Sequence, residues 1–170
     1  MIIDCHGHYT TAPKALEDWR NRQIAGLEDP AVAPKAAELA ISDDDLRASI
    51  ETNQLARMKE RGSDLTIFSP RASFMAHHIG NFETSATWAA ICNELCHRVS
   101  RLFPDHFIGA AMLPQSPGVD PKTCIPELER CVTEYGFVAI NLNPDPSGGH
   151  WREPPLSDRH WYPIYEKMVE

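Results

Sequence analysis

The stretch MIIDCHGHYT, Met1 to Thr10, sets an apolar pair, an Asp and two His around a single Gly. Alternate side chains of a strand share a face, so Ile2, Asp4, His6 and His8 point one way while Ile3 and Cys5 point the other. A strand over Met1 to Cys5 places both imidazoles at its C-terminal end. What that position means depends on the fold around it.

Three further runs look like the first: DLTIFSP (Asp64 to Pro70), HFIGAAML (His106 to Leu113) and FVAINLN (Phe137 to Asn143). All are short and mostly apolar, as strands buried on both faces are. Helical patterns fill the gaps. Ser42 is an N-cap with Asp43, Asp44 and Asp45 in the first turn, and Arg57, Lys59 and Arg61 crowd the far end before Gly62. Trp88, Ile91, Leu95, Val99 and Leu102 recur at helical spacing between Phe82 and Phe103, and Pro104 ends the run. Asp120 with Pro121 opens a third helix through Leu128 and Val132, which closes at Gly136. Shorter patterns, Pro13 to Leu27 and Lys35 to Leu39, read as an insertion after the first strand. Ser157 is the expected cap of a last helix through Trp161, Ile164, Tyr165 and Met168.

Strand and helix in alternation imply right-handed βαβ units and a parallel sheet, so the class is α/β. Four such units are half of an eight-fold barrel, which takes about 250 residues. Residues 1–170 are therefore read as the N-terminal half of a single (β/α)₈ TIM-barrel domain.

Composition narrows the partners. Hydrophobic residues make up 42% of the 170 and charged residues 24%, which fits a folded globular domain rather than a disordered chain. A net charge of −8 repels phosphate backbones and anionic lipid, so nucleic acid and membrane surfaces are excluded as expected partners. No apolar run approaches the roughly 18 residues of a membrane span, and no basic stretch precedes an apolar one at the N-terminus. Five Cys at irregular spacing do not form a disulfide framework. A cytoplasmic protein with reduced thiols, acting on a small molecule, is expected.

Barrel enzymes keep their active sites at the C-terminal ends of the strands. There His6 and His8, with Gly7 between them, form a His-x-His pair able to chelate one Zn²⁺, Mn²⁺ or Fe²⁺ ion. Two ligands leave such a site incomplete. Arg71 shares strand parity with Ile67 and Ser69, and a guanidinium there suits a carboxylate, a solvated charge being the other reading. His77 and His78 lie in the following loop; His77 is a candidate substrate contact, a solvated loop His being the other reading. Asn141 and Asn143 share a face of the fourth strand, where they hold either substrate oxygens or neighbouring loops. Gly148 and Gly149 in PDPSGGHW could cradle an anion. His97, Cys92 and Cys96 fit helix packing better than chemistry.

DCHGHYTTAP at the first strand, TIFSPRAS at the second, LPQSPG after the third and NLNPDPSGGHW at the fourth together resemble the amidohydrolase superfamily. Within it the likeness is to the branch of amidohydrolase-related decarboxylases and hydratases that includes the 4-oxalomesaconate hydratases, and it runs along the whole chain. The resemblance implies a metal-dependent lyase that adds water to 4-oxalomesaconate, giving 4-carboxy-4-hydroxy-2-oxoadipate, in the protocatechuate 4,5-cleavage route of lignin-derived aromatics. It also implies that His6 and His8 are the first two metal ligands, with zinc the expected ion. Arg71, Asn141 and Asn143 fall in stretches that resemble substrate-facing loops, suited to a small polycarboxylate. In the family a further His ligand and an acidic residue come from later strands, so these and the general base are expected beyond Glu170, in a full-length protein that forms a homo-oligomer. The alternatives are a decarboxylase or hydrolase of another small carboxylic acid on the same barrel, or an inactive fragment that binds acids or assembles with a complementary chain.

Overall fold

Each apolar run forms a strand. The computed structural model describes residues 1–170 and contains β1 (Ile3–Tyr9), β2 (Leu65–Pro70), β3 (Phe107–Met112) and β4 (Ala139–Asn141). They pair in parallel in the order β1-β2-β3-β4, so the sheet grows in chain order and both outer edges are open. That is the first half of a (β/α)₈ barrel.

The helices are α1 (Lys14–Ala25), α2 (Asp43–Ser49), α3 (Ala56–Arg61), α4 (Phe82–Leu102), α5 (Ile125–Thr133) and α6 (Tyr162–Val169). Ser42 caps α2 as expected: its hydroxyl accepts the Asp45 N–H at 3.1 Å while the Asp45 carboxylate accepts the Ser42 N–H at 3.0 Å. Gly62, left-handed at φ +68°, closes α3. Between them Ile50–Leu55 winds as a π-helical turn, an interruption that amphipathic spacing does not reveal. The short pattern near Lys35 is a 3₁₀ turn, Ala36–Glu38, and before α6 it is Asp158 rather than Ser157 that caps, on the 3₁₀ turn Arg159–Trp161, its carboxylate accepting the His160 N–H at 2.8 Å.

The core fills the space between the sheet and its helices. Phe68 of β2 packs on Phe107 of β3 at 4.9 Å and on Tyr9 at 5.3 Å between ring centres. Trp88, Leu95 and Val99 line the buried face of α4, which packs against β2 and β3. Asn93, fully buried on the same helix, receives the Met112 N–H at 2.8 Å and donates to the Met112 carbonyl at 2.9 Å. One amide thus satisfies both backbone groups at the end of β3. His97 stacks on Tyr135 at 4.2 Å, in keeping with a packing role. All five Cys are free and only Cys5 is exposed. No helix is long and apolar enough to cross a membrane.

Candidate active site

β1 runs on to Tyr9 instead of ending at Cys5, so His6 and His8 are strand residues. The alternation along it is broken once. Asp4 pairs with Thr66 but Gly7 pairs with Phe68, so β1 takes three steps where β2 takes two. This is a bulge, which re-aims side chains next to sites. Beyond it the two imidazoles meet edge to face, with ring centres 4.6 Å apart and Nε2 atoms 3.1 Å apart.

Neighbouring elements hold His8 in place. Its Nδ1 lies 2.7 Å from Ser69 Oγ and 3.2 Å from the Pro70 carbonyl oxygen. Its own carbonyl accepts the Gln54 side-chain N–H at 2.6 Å, a contact supplied by the π-helical turn. Burial holds the His8 pKa below its ordinary value against the opposing pull of the Pro70 carbonyl, which keeps the ring neutral at neutral pH. Ser69, almost fully buried, also donates to the Gly7 carbonyl at 3.0 Å and lies 3.4 Å from the Asn141 amide nitrogen. β1, β2 and β4 therefore converge on this one hydroxyl.

Two imidazoles with converging Nε2 atoms, one anchored through its other nitrogen, fit a divalent metal of the Zn²⁺ or Mn²⁺ kind. The chain supplies two such donors and no group of three or more His, Cys, Asp or Glu able to hold the ion alone.

The other candidates divide. Asn141 joins His6 and His8 through Ser69. Arg71, two residues after Ser69, is exposed, its guanidinium 5.9 Å from the Phe74 ring and without a carboxylate partner. Asn143 uses both ends of its amide on loops, donating to the Met75 carbonyl at 2.8 Å and accepting the Asp145 N–H at 3.0 Å. His77 is 1% exposed, with Nδ1 2.7 Å from Ser85 Oγ at the start of α4. Burial, aided by the nearby Arg20 cation, lowers its pKa to about 4. His77 thus bonds to a helix residue, its buried Nε2 has no hydrogen-bond partner, and no hydrogen bond links it to the His6–His8 pair. Gly148 and Gly149 do adopt left-handed backbone, at φ +75° and +94°, but the anion they surround belongs to the chain: the Asp145 carboxylate accepts the N–H groups of Ser147, Gly149 and Trp151.

Sequence reasoning missed Ser69, Gln54 and Asp145 as site builders. For Ser69 a signal existed, since it shares the strand face of Ile67 and Arg71; for Gln54 there was none.

Comparison with known proteins follows the same lines. The chain is 58% identical over 170 residues to a 2-keto-4-carboxy-3-hexenedioate hydratase of Sphingobium sp. strain SYK-6, covering 100% of this chain and 49% of that protein. It is 79% identical to the crystallographic 4-oxalomesaconate hydratase of Rhodopseudomonas palustris, at a TM-score of 0.93 over 99% of this chain and 49% of that one. A dihydroxybenzoic acid decarboxylase of Polaromonas sp. JS666, solved with bound manganese and the inhibitor 2-nitroresorcinol, shares the fold at 24% identity and a TM-score of 0.63, over 98% of this chain and 45% of that one. The chain thus spans about half the length of the relatives it matches. The family described as amidohydrolase matches residues 3–170, nearly the whole chain, and this protein belongs to it.

Proposed function

We propose that these residues are the first half of a metal-dependent hydratase that adds water to the carbon-carbon double bond of 4-oxalomesaconate, giving 4-carboxy-4-hydroxy-2-oxoadipate. The observation that carries the reading is the 79% identity, at a TM-score of 0.93, to the Rhodopseudomonas palustris 4-oxalomesaconate hydratase. The converging Nε2 atoms of His6 and His8 support it independently.

In this reading His6 and His8 hold the ion, zinc being the expected metal, with the remaining ligands and the general base outside residues 1–170. When bound, the metal supplies a Lewis acid for a substrate oxygen and lowers the pKa of a water. Arg71, exposed and without a carboxylate of its own, takes a carboxylate of the small polycarboxylate substrate. The Asn141 amide lies where β4 meets Ser69 and orients a second substrate oxygen. Asn143, engaged on both sides, sets the shape of the loop, and His77 supports the loop after β2 from behind. Four buried, unpaired thiols suit a reducing compartment such as the cytoplasm.

The test is to incubate the full-length protein with 4-oxalomesaconate and follow loss of its conjugated absorbance. Turnover that falls at least tenfold in Arg71→Met, about the effect of losing one charged hydrogen bond, is the expected result. Absence of hydration together with decarboxylation or hydrolysis of another small acid would replace this reading with its alternative.

A further inference from the structure

We infer that Ser69 is the positioning residue that selects the tautomer of His8 and aims its Nε2 at the cation, an assignment that rests on the metal reading of the His6–His8 pair. The argument is a count of protons. Ser69 Oγ has four polar neighbours: His8 Nδ1 at 2.7 Å, the Gly7 carbonyl at 3.0 Å, the Pro70 carbonyl at 3.4 Å and the Asn141 amide nitrogen at 3.4 Å. Carbonyls only accept and an amide NH₂ only donates, so the single hydroxyl proton decides the arrangement.

Given to His8, that proton would leave the Gly7 carbonyl without it. It would also turn the Nδ1 lone pair against the Pro70 carbonyl oxygen, 3.2 Å away, with no hydrogen between two acceptors. Given to the Gly7 carbonyl, every neighbour of Ser69 Oγ is satisfied: Asn141 and His8 Nδ1–H both donate to Ser69 Oγ, and Pro70 shares the Nδ1 proton. His8 therefore carries its proton on Nδ1 and its lone pair on Nε2, the atom that faces His6 Nε2 at 3.1 Å. Ser69 is 3% exposed, which leaves solvent little chance to replace it. It reaches across three strands to pin a ring whose backbone is pinned separately by Gln54.

Zinc and manganese binding to the full-length protein, measured by chelator competition, tests this alongside ¹⁵N NMR of the metal-free histidine rings. The expected results are a His8 signal protonated at Nδ1 in the unmutated protein and a metal affinity reduced about 10- to 100-fold in Ser69→Ala, the usual cost of losing the partner that orients a metal-bound His. Ser69→Thr, which keeps the hydroxyl, stays near the unmutated affinity. Unreduced affinity in Ser69→Ala, or a His8 protonated at Nε2, overturns the inference while the metal reading stands. An unmutated protein that takes up neither ion overturns both, and shows it before any variant is made.

Discussion

Gly7 and Thr66 pack so closely that a Cβ built on the glycine would lie 2.1 Å from Thr66 Cγ2 and 3.2 Å from the Ile67 carbonyl. The position where β1 rejoins β2 after the bulge, between His6 and His8, therefore requires a residue without a side chain. Gly7→Ala is expected to cost about 1–3 kcal/mol in urea unfolding of the full-length protein, the range for forcing an extra carbon into a packed site. Adding Thr66→Ser removes the clashing methyl and keeps the hydroxyl that reaches Met58, so most of the loss should return. A double variant no more stable than Gly7→Ala would show that this contact is not what the glycine relieves.

Asn93 carries the end of β3. Truncation to Ala would strand the N–H and C=O of Met112, a residue with no exposed surface, and is expected to cost about 2–6 kcal/mol at roughly 1–3 for each of the two buried unpaired groups. Asn93→Asp should also destabilise, because it sets a second carboxylate beside Glu127, now 2.7 Å from the Asn93 amide nitrogen. Equilibrium unfolding checks both, and a loss below about 1 kcal/mol in Asn93→Ala would contradict the assignment.

The loop after β4 depends on one carboxylate. Asp145 gathers the N–H groups of Ser147, Gly149 and Trp151, and the last of these holds a non-glycine residue at φ +48°. Such backbone persists only where its surroundings hold it. Asp145→Asn replaces one acceptor oxygen with a donor and removes the charge, so trypsin cleavage after the neighbouring Arg152 should accelerate several-fold. Identical cleavage rates in the two proteins would mean the loop is held by other contacts.

His77 gives the fold a pH dependence. Burial lowers its pKa from 6.5 to about 4, so between those values the unfolded chain binds a proton that the folded chain refuses. Its contribution is complete above pH 6.5 and is lost as the pH falls toward about 4. From pH 6.5 down to about pH 5 the loss amounts to about 2 kcal/mol, at 1.36 kcal/mol per pH unit. His77→Gln should unfold with a pH slope flatter by that amount over the window. An unchanged slope would remove His77 as the source.

The alternation of strands and helices was legible because it rests on local signals: Ser42 as cap, Gly62 and Gly136 as stops, and one apolar face on α4. The His6–His8 pair was legible for the same reason, two ligands two residues apart. The bulge was not, because it lies in how β1 pairs with another strand. β4 is three residues long rather than the seven expected, and at its C-terminal end the Gln115 side chain, instead of strand backbone, takes both the N–H and the C=O of Asn143. Ser69 and His8 stand 61 residues apart, so strand parity places Ser69 on the face of Ile67 and Arg71 but does not show that three strands meet on its hydroxyl. Asn141 and Asn143 look alike in sequence, and only the loops that close on Asn143 separate them.

The most direct measurement is the metal content of carefully purified full-length protein, with His6→Ala and His8→Ala beside it. The account predicts bound divalent metal in the unmutated protein, its loss in both variants, and hydration activity that disappears with it and in chelator. A metal-free preparation that turns over fully in chelator, or variants that keep their metal and their activity, would contradict it.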